Sequence, residues 1–88
     1  MVYLVSYDLN TPGKNYNELY NKLKSFNSYL HPLESTWFID TLFSAKEIFE
    51  RLYPVLDSND KLFVVKLDTQ WHALLAQSNY DWLHKFLG

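Results

Sequence analysis

Asp8 stands at the end of an apolar run, Val2-Tyr3-Leu4-Val5-Ser6-Tyr7, and directly before a turn sequence, Leu9-Asn10-Thr11-Pro12-Gly13. A carboxylate in that setting is held by strand backbone yet open to water, so it could take a divalent cation, magnesium or manganese, without a charge having to be buried. Ser6 lies two residues earlier on the same strand face, and Asn10 lies in the adjoining loop. Either could orient water or a ligand beside Asp8, and Lys14 is a further candidate contact. One carboxylate is a weak metal site by itself. Either other ligands converge on Asp8, or two copies of the chain bring two Asp8 side chains together. The competing structural role for Asp8 is to cap the following turn through its backbone N–H groups.

Other chemistries find less support. The absence of cysteine removes disulfides, thiolate catalysis and thiolate-bound zinc, and fits a reducing cytoplasm. His31, His72 and His84 are spread along the chain without the paired spacing of a zinc site. Gly13 is the only internal glycine, so no glycine-rich loop can cradle a phosphate. No serine or threonine sits in a nucleophile setting. Asp40 ends a second apolar run and would join Asp8 only if strand register brought them together; a solvent-exposed position is the simpler expectation. The net charge of −2 argues against binding nucleic acid by a broad basic surface. Lys14, Lys22 and Lys24 come nearest to a cluster, and they fall on the polar side of a helix.

The 88 residues suffice for one domain, residues 1–88, and 48% hydrophobic content with only two glycines indicates a packed chain. No run approaches the roughly 20 apolar residues of a membrane helix, and no basic segment precedes an apolar N-terminus, so the expectation is a soluble cytoplasmic protein. Helical spacing joins Tyr16, Leu19, Tyr20, Leu23 and Phe26, with Asn15 as the candidate cap and Glu18 three residues on. Ser44-Ala45-Lys46-Glu47 has the form of a capping box. It opens a second helix with Ala45, Ile48, Phe49, Leu52, Val55 and Leu56 on its apolar side, Glu47 and Arg51 as a candidate pair, and Pro54 shortening its end. Ser78-Asn79-Tyr80-Asp81 announces a short third helix with Trp82, Leu83, Phe86 and Leu87. Strands are expected over residues 2–8, 28–32, 35–41 and 61–67, the last introduced by the turn-forming Asp57-Ser58-Asn59-Asp60. Strand, helix, two strands, helix, strand is the order of an α+β ferredoxin-like sandwich, βαββαβ, with both helices on one face of an antiparallel sheet.

The strand sequences are apolar on both faces: Val2 and Leu4 against Tyr3, Val5 and Tyr7, and Leu62 and Val64 against Phe63, Val65 and Leu67. A sheet open to water on one side should alternate, so a second copy or the C-terminal segment must cover the other face, and a homodimer is the preferred cover. The aromatic tail, with Trp71, His72, Tyr80 and Trp82, is expected to serve core or dimer packing rather than base stacking.

Val5-Ser6-Tyr7-Asp8, the helix after it, Ser35-Thr36-Trp37-Phe38, the helix from Ser44 and Asp60-Lys61-Leu62-Phe63-Val64-Val65 together resemble the small CRISPR adaptation subunit called Cas-two. They are also similar to the virulence-associated protein D ribonucleases. The likeness covers residues 1 to about 68 in order and length, with Tyr7-Asp8 as its motif. It implies a ferredoxin-like homodimer whose sheets face each other, whose last strand often joins the partner's sheet, and whose two strand-end aspartates hold a divalent metal at the interface. The implied activity is metal-dependent cleavage of RNA or DNA with Asp8 as catalytic ligand. The basic residue that family often carries before its second long strand is not evident here, where His31, Pro32 and Glu34 stand. The alternatives are a non-catalytic dimeric scaffold on nucleic acid, or a protein-interaction or regulatory module of a defence system or mobile element.

Overall fold

A computed structural model describes residues 1–88. Four strands, β1 (Val2–Asp8), β2 (Ser28–Leu33), β3 (Thr36–Asp40) and β4 (Lys61–Lys66), form one antiparallel sheet in the order β2-β3-β1-β4. Helices α1 (Asn17–Lys24) and α2 (Ala45–Leu52) connect them, and α3 (Gln77–Phe86) follows. This is the ferredoxin-like α+β arrangement expected from the element order. The two helical crossovers place β1 and β3 in the centre and leave β2 and β4 as edges.

Alternation along the strands sorts the side chains into two layers. Tyr3, Val5 and Tyr7 of β1 and Trp37 and Ile39 of β3 pack with Leu19 and Leu23 of α1 and Ile48 and Leu52 of α2 into the main core. Buried Trp37 donates its indole N–H to the Tyr7 hydroxyl at 3.0 Å, and that hydroxyl donates to the Glu34 carbonyl at 3.3 Å, so the polar atoms under the helices are satisfied. Burial raises the Tyr7 phenol above its ordinary range, the Trp37 bond opposing this.

Local signals place most of the helix ends. Ser44 and Glu47 close the expected capping box: Ser44 Oγ accepts from the Glu47 N–H at 3.1 Å, and Glu47 accepts from the Ser44 N–H at 3.0 Å. Pro54 sits in a single 3₁₀ turn, Tyr53–Val55, that ends the helical path as expected. The start of α1 differs. Asn15 makes an Asx turn, its Oδ1 accepting from the Asn17 N–H at 2.8 Å, while Tyr16 occupies the cap position without capping. The Tyr16 hydroxyl donates to Asp60 Oδ1 at 2.8 Å, tying the start of α1 to the turn before β4. The Glu47 and Arg51 pairing is also replaced: Lys46 pairs with Glu50, and the Arg51 guanidinium lies 4.1 Å above the Phe43 ring.

The sheet's second face is covered in part by the chain itself. Val2, Leu30, Phe38 and Leu67 pack against Trp71, Leu75, Trp82, Leu83, Phe86 and Leu87. Trp82 donates its N–H to Ser28 Oγ at 2.9 Å, tying α3 to the β2 edge. Tyr80 holds the segment between β4 and α3, accepting from the Leu75 N–H and donating to the Ala73 carbonyl. The tail therefore ends as a helix on its own sheet, not as the strand that the resemblance implies. This cover stops short of the Asp8 end, where Leu4, Ser6, Val65 and Phe63 remain outside it, with Phe63 61% exposed. No helix is long and apolar enough to cross a membrane.

Leu83 is the buried anchor of α3, so Leu83→Ala should lower unfolding free energy by about 2 to 4 kcal/mol. Leu74→Ala, at a side chain 96% exposed, should change it by less than about 0.5 kcal/mol. Urea denaturation of both variants checks the assignment of α3 as a structural cover.

Candidate functional site at the end of the first strand

Two loops meet beyond the end of β1, and their junction positions Asp8. Asp60 Oδ1 accepts from the Asn10 N–H and from the Tyr16 hydroxyl, each at 2.8 Å, and Oδ2 accepts from the Asp57 N–H at 2.8 Å. Asn10 and Asn59 exchange side-chain to backbone bonds, Asn10 Nδ2 to the Asn59 carbonyl at 2.9 Å and Asn59 Nδ2 to the Asn10 carbonyl at 3.0 Å. The Thr11-Pro12-Gly13-Lys14 turn closes with the Lys14 N–H on the Thr11 carbonyl, and Gly13 takes the positive φ of 76° that this turn requires. The segment before α1 is thus stapled to the segment before β4.

Asp60 is 9% exposed, and burial opposes its ionisation. The Asp57 and Asn10 N–H groups, the Tyr16 hydroxyl and the charge of Lys14 outweigh that, holding its carboxyl below the ordinary range. Nothing in the sequence distinguishes Asp60 from the other polar residues of its turn. The turn role weighed for Asp8 is carried by Asp60, because its side chain points into the loop junction.

Asp8 itself is exposed, and its carboxylate takes part in none of the ion pairs, which join the N-terminal ammonium to Asp40, Lys14 to Asp57 and Lys46 to Glu50. It stands opposite Lys61 in the β1–β4 ladder, as Ser6 stands opposite Phe63. All four therefore share the sheet's second face. A shallow depression of about 230 Å³ lies here, lined by Ser6, Tyr7, Asp8, Lys61, Leu62 and Phe63. Ser6 is half-buried beside Asp8. Asn10 is turned to the loop junction, its amide donating to the Asp8 carbonyl at 3.3 Å as well as to Asn59. The Lys14 ammonium is committed elsewhere, to the Val55 carbonyl at 2.9 Å and Asp57 at 3.0 Å.

Asp40 is at the opposite end of the sheet, paired in register with Val2, and bonds to the N-terminal ammonium and to Asn27. Six residue steps along β1, roughly 20 Å, separate Val2 from Asp8, so the two strand-end aspartates do not converge. No three His, Asp or Glu side chains lie close enough to share a metal ion. His31 stacks on Trp37 with centroids 3.9 Å apart, and His84 lies 5.2 Å from Trp71. One chain thus supplies one free carboxylate, a neighbouring hydroxyl, one lysine and an exposed aromatic ring. Magnesium keeps several of its octahedral ligands as water and takes one or two carboxylates from protein, so a single chain offers it Asp8 as one carboxylate ligand.

The depressed Asp60 carboxyl makes stability depend on acid. A carboxyl whose pKa is lower folded than unfolded contributes stability above the unfolded value, near pH 4, that is lost as pH falls through the folded value. Asp60→Asn should therefore flatten the acid limb of a plot of thermal midpoint against pH between about pH 5 and 2, and should lower the midpoint at pH 7. Asp8→Asn, at an exposed side chain in no ion pair, should leave the midpoint at pH 7 nearly unchanged.

Comparison with protein-family models, with curated proteins and with solved structures gives no match to this chain.

Proposed function

We propose that the chain works as a homodimer with a nucleic-acid-related role, of the kind implied by its resemblance to the CRISPR adaptation subunit, the open half of the sheet being the contact between copies. The observation that carries this reading is the position of Phe63. A ring 61% exposed, flanked by Leu4 and Val65 and adjoining a charged rim of Asp8 and Lys61, has the make-up of an apolar interface centre. A two-fold contact repeats each patch residue on both sides. It therefore doubles the number of Asp8 carboxylates at the interface, and a metal-dependent nuclease would rest entirely on that second copy.

A non-catalytic dimer, acting as a scaffold or as a protein-interaction module of a defence system or mobile element, is the second reading, and one feature favours it. Phosphodiester cleavage gains from cations aimed at the developing charge. Here Lys14 is tied to Asp57, and Lys61 is the one lysine beside Asp8.

Phe63→Asp should raise the dimer dissociation constant at least about tenfold while leaving the circular dichroism spectrum unchanged, since the side chain lies outside both cores. Sedimentation equilibrium reads this directly. Labelled single-stranded RNA, duplex RNA and duplex DNA, incubated with magnesium, manganese or chelator, then separate the readings. Metal-dependent cutting that falls to background in Asp8→Asn supports the nuclease. Salt-sensitive binding without cutting supports the scaffold, and a wild-type monomer at all concentrations would overturn the dimer.

A further inference from the structure

The two edges of the sheet are treated differently. The β2 edge carries Pro32, and its register with β3 breaks between Leu30 and Leu33. Proline and an irregular register are means by which an edge avoids pairing with another strand. The β4 edge has neither a proline nor a register break, its two lysines, Lys61 and Lys66, standing only at its ends, and β4 pairs only with β1. In that ladder the Leu67 N–H donates to the Val2 carbonyl, so alternation turns the backbone N–H and C=O groups of Leu62, Val64 and Lys66 outward. Their side chains belong to the helix-side face, where Leu62 and Val64 touch the core margin.

A cleft of about 440 Å³ lies at one end of this edge, between β4 and the end of α2. Phe49 and Tyr53 form one wall, 41% and 53% exposed, their rings stacked at 5.3 Å and 16°. Pro54, Leu56 and Leu62 complete its apolar lining. Lys66, exposed and in no ion pair, stands at the other end of the edge.

We infer that the β4 edge, with the Phe49 and Tyr53 cleft beside it, is a docking site for an extended, acidic and apolar peptide segment of another protein, which adds to the sheet as a fifth strand. Main-chain bonds to Leu62, Val64 and Lys66 supply affinity, and side chains at alternate positions supply selectivity. In antiparallel register, the segment's residue opposite Lys66 is a carboxylate, forming an opposite-charge cross-strand pair. Two residues later an aliphatic side chain lies beside Val64. A further two residues on, a large apolar or aromatic side chain opposite Leu62 enters the cleft against Tyr53. The added strand's intervening side chains fall on the second face beside Phe63 and Val65, so the bound segment also borders the patch proposed as the contact between copies.

The probe is a fluorescein-labelled decapeptide with Glu, Val and Phe in that order at alternate positions, separated by threonines. Its controls are a scrambled sequence and the same peptide N-methylated on the backbone. Saturable binding is expected, weakened at least about tenfold by N-methylation and by Tyr53→Ala. Lys66→Glu should weaken it about threefold and make a Lys-bearing peptide the better ligand. Both substituted side chains are exposed, and thermal melts confirm that the variants fold. Amide exchange at Leu62, Val64 and Lys66 should slow when the peptide is added. Equal binding of scrambled or N-methylated peptide would overturn the inference. So would protection of those three amides in the free protein that grows with its concentration, because a second copy would then be the occupant.

Discussion

The sheet is apolar on both sides, and that constraint governs the rest of the structure. Apolar strand faces must leave water, and α1 and α2 can cover only the face on which the crossovers place them. The second face needs its own cover, and the chain provides half of one. The segment after β4 passes over the sheet and α3 settles on Val2, Leu30, Phe38 and Leu67. The segment after β4 thus supplies that cover, and its aromatic side chains pack: Trp82 and Phe86 against the sheet, Trp71 beside Tyr80 and His84.

The half-cover also gives the molecule its chemical polarity. Where α3 packs, the face is covered. Where it stops, Phe63, Leu4 and Val65 remain beside the exposed strand-end carboxylate. Asp8 keeps its charge free because Asp60, and not Asp8, satisfies the N–H groups of the neighbouring loops. A rigid scaffold that leaves one unpaired carboxylate at a sheet end suits a ligand or a second copy, since little order has to be gained on contact.

Much of this was legible along the chain because its signals are local. The Ser44 to Glu47 capping box, Pro54 as a helix stop and period-two alternation in β1 and β4 all act within a few residues, and the structure keeps them. Asn15 and Tyr16 show the limit. Asn15 does accept from the first N–H of α1, yet Tyr16 occupies the cap position and its hydroxyl bonds a carboxylate 44 residues away, a contact with no local signal. The same is true of Lys14, whose type and position permit a contact near Asp8 but whose ammonium finds Asp57 and Val55 across the loop junction.

Sequence alone determined the ferredoxin-like order of elements, the faces of each strand and the placing of Asp8 at the mouth of a turn, because alternation, capping and turn chemistry are properties of short stretches. It also established that the second face needed a cover. Only the tertiary structure decided which cover, and how much of the face it reached: α3 docks at the Val2 end, Asp40 lies at the far end of the sheet from Asp8, and Asp60 takes the loop bonds. Those outcomes depend on strand register and on contacts between residues distant in the chain, where the free energy of burying one surface against another selects among partners that are locally equivalent.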